Sequence, residues 1–563
     1  MKSIKQVMSK LNHINGISVY NDFQIVTLLY VMDKVQKMGN EIEFSDLISS
    51  VKDEDIRLTI CDMVDEKAFD EIKNIAAEFE NIPMEQILHE YNAGMDFDKR
   101  NVCIHPSITK LIIRMMKIDS VKSIVILDNE LDKGNAYCVL AREMPNMHIR
   151  SYDNNSAVVG MMKMRTEALN DHAYVQLGDP YALLDGEKLD RVFSFPPLGV
   201  RQTNFSEVGK RFNASLKLRP GLTWAHALLA AHLLSENGKA IIPVFGGNLF
   251  SMTSSEKLSR KWLIENHFVE GVISLPGGLM SGTSIPFSLV ILSHDNSEVR
   301  MIDVEESGLY KRSGKIRTVE ITEAQIDEIV SNYYDVNESS YCHSAPYEKI
   351  RKADYSLDRN HYLAEEYLLK NGTALGDLAV SIFRGAHCSA KEIDELLTQE
   401  QTNIYYLTVS DIHGGMIRDD LTKLKEVPEE LLKFCLQDGD LVISKSGSPF
   451  KSAVINVKDD EKILAAGNFY IVRFDHTKVN PYYVKSYFDS ARGTKVLELL
   501  SKGTVIRTVS IGDLKRITVP IASKKRQHEI AERYLALQDE IKVLRGRLAK
   551  AEDHLNSVFD EVK

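Results

Sequence analysis

The chain has 563 residues, too many for one hydrophobic core, with 44% hydrophobic and 26% charged residues and a net charge of −11. That acidic balance argues against indiscriminate nucleic-acid binding, and no apolar run reaches the roughly 18–20 residues that span a bilayer. Met1-Lys2-Ser3-Ile4-Lys5 leads into an amphipathic stretch rather than an apolar leader, so a cytoplasmic protein is expected.

In chain order, residues 1–100 read as a helical domain, with helical spacing at Phe23, Val26, Leu29, Val31 and Val35 and again at Ile72, Ile75 and Phe79. From 101 to 310 the pattern changes to short β-branched runs alternating with helices. The predicted strands are Ser123–Leu127, His148–Tyr152, Arg191–Phe193, Ala240–Val244 and Phe287–Leu292, with a helix over Trp224–Glu236. Such alternation predicts a mostly parallel, helix-covered sheet that binds ligands at the carboxyl ends of its strands. Residues 311–370 are charged, show no core pattern and are expected to be a connector. From 371 to 522 the chain is strand- and turn-rich, punctuated at Gly414-Gly415, Gly439-Asp440 and Gly447.

The last segment, 523–563, is a long helix. Ile530, Tyr534, Leu537, Ile541, Leu544, Leu548, Ala551, Leu555 and Val558 step alternately by four and three, a heptad seam that calls for a partner helix. Between Ser501 and Lys550 stand twelve Lys/Arg and five Asp/Glu, a local +7 inside an acidic chain. Six cysteines (Cys61, Cys103, Cys138, Cys342, Cys388, Cys435) form no CxxC pair, and no metal site is expected.

His105-Pro106-Ser107-Ile108-Thr109, Gly238–Val244, and Val272-Ile273-Ser274-Leu275-Pro276-Gly277-Gly278 followed by Thr283 and Leu289–Leu292 resemble the modification subunits of type I restriction–modification systems. That resemblance, to DNA adenine-N6 methyltransferases, covers about 200 residues. It implies a Rossmann-like domain that holds S-adenosylmethionine on a glycine-rich loop after the first strand. Here the loop reads Asp128-Asn129-Glu130-Leu131-Asp132-Lys133-Gly134, with a single glycine. The resemblance assigns Asp128, Gly134, Asp153 and Asp179 to the cofactor.

The family's catalytic tetrapeptide is Asn-Pro-Pro-aromatic. The Asn oxygen and first Pro carbonyl accept the hydrogens of the target amine, and the aromatic ring stacks on the flipped base. This chain reads Phe195-Pro196-Pro197-Leu198. A phenyl ring accepts no amine hydrogen, so the expectation is a degenerate site that binds S-adenosylmethionine doubtfully and transfers no methyl group.

The segments Leu375–Leu378, Arg384-Gly385, Tyr406–Ile412, Gly439–Gly447, Gly467–Arg473, Asn480–Tyr483, Gly503–Ile506, Asp513-Leu514 and Gln527–Ile530 resemble, in order, a target-recognition domain of type I specificity subunits. Arg384, Lys445, Ser446, Lys451, Lys502 and Arg507 are the candidate DNA contacts, with a Ser444–Ser448 loop presenting lysine and hydroxyls to phosphate.

The fold expected is therefore α/β. It comprises a helical N-terminal domain, a Rossmann-like methyltransferase domain, a mixed α+β recognition domain and a coiled-coil-type helix. The function expected is sequence-specific binding of double-stranded DNA by a homodimer joined through that helix, or by a chain assembled with restriction-system partner subunits. The alternatives are an active S-adenosylmethionine-dependent adenine-N6 methyltransferase, or the specificity subunit of a larger defence complex. No nuclease motif and no membrane association are expected.

Overall fold

The structure, a computed structural model, describes residues 4–11, 13–14, 22–79, 104–118, 121, 123–127, 134, 136–137, 140, 144, 146–169, 174–184, 186–196, 222–280, 283–313, 318–335, 338–501 and 507–557. The chain divides into two compact units, Met1–Arg359 and Asn360–Lys563.

In the first unit the strands are β1 (Ser123–Leu127), β2 (His148–Asp153), β3 (Tyr174–Leu177), β4 (Leu189–Ser194), β5 (Leu234–Phe245), β6 (Val269–Leu275), β7 (Phe287–Leu292), β8 (Glu298–Asp303), the short β9 (Lys311–Ser313) and β10 (Thr318–Glu320), and β11 (Cys342–Pro346). Nine of them form one sheet in the order β11-β8-β6-β7-β5-β4-β1-β2-β3. Neighbours from β3 to β5 run parallel, while β7 slots antiparallel between β5 and β6. All six residues of β7 are buried, as a strand covered on both faces requires. Pro243, which has no N–H for a ladder, lies beyond the point where β4 stops pairing with β5 at Phe193↔Ile241.

Three expectations need correction here. Residues 311–359 are not a connector: β11 pairs antiparallel with β8, its Cys342 and Ala345 are buried, and Arg359 bonds Asp303 at 3.2 Å. The helix over 224–236 ends at Leu233, because the chain enters β5 at Leu234 opposite Leu189. The N-terminal helices do not stand apart. They share one core with the sheet and dock on the helix Ser156–Leu169, where Lys163 bonds Asp53 (2.9 Å) and Asp55 (2.6 Å). At that crossing a Cβ on Gly160 would lie 2.1 Å from Thr59 Oγ1, so only glycine permits the approach.

In the second unit a four-stranded antiparallel sheet runs Ala379–Arg384, Phe469–Phe474, Leu441–Ser444, Ser452–Val454. Side-chain alternation splits its two faces between two cores. Leu441, Ile443, Tyr470 and Val472 pack with the helices Pro481–Phe488 and Ala491–Leu500, whereas Val442, Phe469 and Ile471 pack with Leu407 and Ile463 of a three-stranded sheet. The helix Lys524–Ser557 stays in contact with this body through Gln538, Lys542 and Arg545, which bond Gly415, Asp419 and His413.

Candidate functional site

Two places concentrate chemistry-bearing residues. The first lies where the strand order of the large sheet reverses, between β1 and β4, whose ends meet at Leu127↔Ser194. Open α/β sheets bind ligands at such a switch point. Phe195 follows directly, and its side chain is fully buried, edge-on to Phe193 at 5.6 Å and 74° within the main core. Pro196 is buried too. Pro197, Leu198 and Asp128 lie outside the described residues.

The described residues among those assigned to a nucleoside-type methyl donor are Gly134, Asp153 and Asp179. Asp153 ends β2 but is only 3% exposed, and its Oδ1 accepts the Asn155 N–H at 2.8 Å. Gly134 has φ +76°, and a Cβ there would sit 2.2 Å from Met162 Sδ, so its lack of a side chain serves packing. Asp179 is half-buried, its carbonyl accepting the Ala182 and Leu183 N–H groups. In the same unit, burial alone drives the imidazole of His226 down to about 3.

The second place is one end of the four-stranded sheet in the other unit. Arg384 closes its strand opposite Tyr470, and Ser444 closes the neighbouring strand opposite Phe469. Arg384 and Lys445 therefore flank the Gly467-Asn468 turn. Arg384 Nε donates to the Gly467 carbonyl at 2.5 Å, and the Lys445 N–H donates to the Asn468 carbonyl at 2.7 Å. A third segment is zipped alongside: Gly447 N–H reaches the Arg507 carbonyl at 3.2 Å, Val509 N–H reaches the Lys445 carbonyl at 3.1 Å, and Ser446 bridges Thr508.

Lys451 lies across from Ser444, and its Nζ donates to the Val409 carbonyl at 3.1 Å. Burial raises the Tyr470 phenol, and the nearby Arg384 charge opposes that rise. The stretches 384–388, 444–451, 465–469 and 507–510 contain four Lys/Arg and no Asp or Glu.

Five of the six residues proposed for DNA thus fall in one neighbourhood, and Lys502 lies outside the described residues. The expected hydroxyl loop is narrower than foreseen, because Ser444 is buried and its Oγ accepts the Lys451 N–H at 2.9 Å. The hub, Gly467-Asn468, is missing from the predicted contacts. Its signal is the glycine pair Gly385 and Gly467, where a Cβ would press to 2.2 and 2.7 Å on the Ala466 and Ala386 carbonyls. Among the described residues there is no cluster able to hold a metal ion and no helix long and apolar enough to cross a membrane.

A nine-stranded sheet of this order with its antiparallel insert defines a methyltransferase-like α/β fold. Residues 108–370 match the N-6 DNA Methylase family. The type I restriction enzyme MpnII methylase subunit of Mycoplasma pneumoniae is 30% identical over 144 residues, 25% of this chain and 26% of that protein. The HindI methylase subunit of Haemophilus influenzae is 30% identical over 141 residues, 23% of this chain and 31% of that protein. Each match thus spans under a third of the curated relative. Among solved structures, a type I restriction-modification methyltransferase subunit from Streptococcus thermophilus superposes with TM-score 0.48 at 16% identity, covering 63% of this chain and 97% of that one.

Proposed function

We propose that this chain binds double-stranded DNA at a specific sequence through its second unit, and that its methyltransferase-type unit acts as a scaffold with little or no methyl transfer. The carrying observation is that Arg384, Lys445, Lys451 and Arg507 stand on neighbouring stretches that hold no Asp or Glu, in a chain of net charge −11. A polyanion is the ligand such a rim suits. Closely packed segments fix the rim's shape, which sequence reading requires.

Weak catalysis is supported by Phe195, whose ring lies in the core where the family's amide would meet the target amine. Loss of one such transition-state contact costs about 100–1,000-fold in rate. In this reading S-adenosylmethionine is at most weakly held, with Asp128, Gly134, Asp153 and Asp179 as its nearest groups.

Two copies pair through the long helix. Leu537, Ile541, Leu544, Leu548 and Leu555 are 42–73% exposed along the seam, which supports a second helix as their cover. The DNA site would then have two related halves.

A second reading is favoured by the family match over residues 108–370: an active adenine-N6 methyltransferase, alone or with restriction-system partners. Incubating the purified chain with mixed-sequence duplex and labelled S-adenosylmethionine separates the two. Retention of duplex without label in the DNA is expected, and label in adenine would reverse the order of the readings.

A further inference from the structure

Outside the long terminal helix, the described arginines of the second unit are mostly occupied by protein partners. Arg473 forks onto Asp440 at 2.7 and 3.0 Å. Arg418 pairs with Asp420, Arg492 gives two N–H groups to the Tyr367 carbonyl, and Arg516 pairs with Asp513. Arg384 and Arg507 have no carboxylate partner among the described residues, and they differ in how they are held.

Arg507 is exposed. Arg384 is half-buried and anchored by one edge only, its Nε on the Gly467 carbonyl. That carbonyl is itself fixed, because Gly385 N–H bonds the Phe469 carbonyl (3.1 Å) and Ala386 N–H bonds the Ala465 carbonyl (2.8 Å). The terminal Nη1–Nη2 edge of Arg384 is bonded to no described residue and points from a rigid mount.

A phosphate contact does not require such a mount, since a flexible lysine or an exposed arginine can also make it. A fixed two-donor edge is what guanine O6 and N7 demand in the major groove. We infer that Arg384 is the specificity-determining residue of the second unit and reads a guanine, whereas Lys445 and Arg507 contact phosphate. This rests on the DNA-binding reading above.

Selection of bound duplexes from a randomised pool by the full chain tests both. The wild-type motif is expected to contain a guanine whose preference falls by a factor of about 10–100 in R384Q. Other positions stay as they are, and adenine gains at that one position because Gln pairs with adenine N6 and N7. R384A should lose the same preference without the gain. R507A should weaken retention of all sequences evenly, leaving the motif intact. A motif unchanged in both R384Q and R384A, or an even loss across all sequences with either, overturns the assignment to Arg384. A wild-type pool with no motif removes the sequence-specific reading itself, and the guanine assignment with it. Unchanged melting of R384Q confirms that binding, not folding, is being read.

Discussion

Phe195 occupies a position where chemistry and packing make opposite demands. Its ring is fully buried against Phe193. Writing the family's amide back, as Phe195→Asn, removes core volume and buries polar atoms with no partner provided for them. Unfolding in denaturant should show a loss of ~3–5 kcal/mol in the first unit, with no methyl transfer recovered. Transfer gained at unchanged stability would mean that residue 195 reaches the crevice after all.

His226 carries a second prediction. Its folded value lies near 3 because burial opposes the charged ring, while the unfolded chain titrates near 6.5. Between those values the unfolded state binds the extra proton, so stability falls as the pH drops below 6.5. The slope approaches ~1.4 kcal/mol per pH unit, or ~2 kcal/mol by pH 5. The measurement is denaturant unfolding at pH 7 and pH 5. His226→Gln, which does not titrate, should flatten that part of the profile.

Among the elements, those set by one local pattern were legible and those set by tertiary pairing were not. Ser123–Leu127 and Phe287–Leu292 are apolar runs that match β1 and β7 to the residue. β11, with only Cys342, His343 and Ala345 buried among polar neighbours, has no such pattern and exists because β8 offers an open edge. The Arg384, Lys445 and Arg507 neighbourhood was legible as residue types. The turn that joins it was not, since glycines reveal a close approach only once both segments are placed.

The long helix is intermediate. Its periodicity is plain in sequence, but the seam has two masters. Ile530 packs on its own unit, and Tyr534 bonds Asp489 beside the buried Lys485. Burial lowers the Lys485 ammonium, with Asp489 opposing. From Leu537 to Leu555 the seam faces solvent. Charging it with Ile541→Lys and Leu548→Lys should therefore convert a dimer to a monomer without unfolding the second unit. Sedimentation equilibrium together with the unchanged melting of that unit would check this. A wild-type monomer at tens of micromolar would remove the pairing.

For the whole molecule, the proposed reading requires a chain of net charge −11 to hold DNA. Contact-range charge and long-range charge have opposite signs. Each phosphate neutralised at the rim releases counterions, and log K falls with log salt at about 0.9 per contact. On the proposed reading Lys445, Arg507 and Lys502 would give about three contacts per copy and about six per dimer, so a slope near −5 is expected at 0.1–0.3 M salt. Below that range the Debye length grows towards ~30 Å, and the acidic body begins to repel the duplex. Affinity should then rise less steeply than the contact count dictates. The seam-charged monomer should show about half the wild-type slope, because half the contacts are lost together. Fluorescence anisotropy of a labelled duplex titrated across salt reads all three quantities. A slope near zero at moderate salt would mean that the rim touches no phosphate, and specific binding would have to come from elsewhere in the chain.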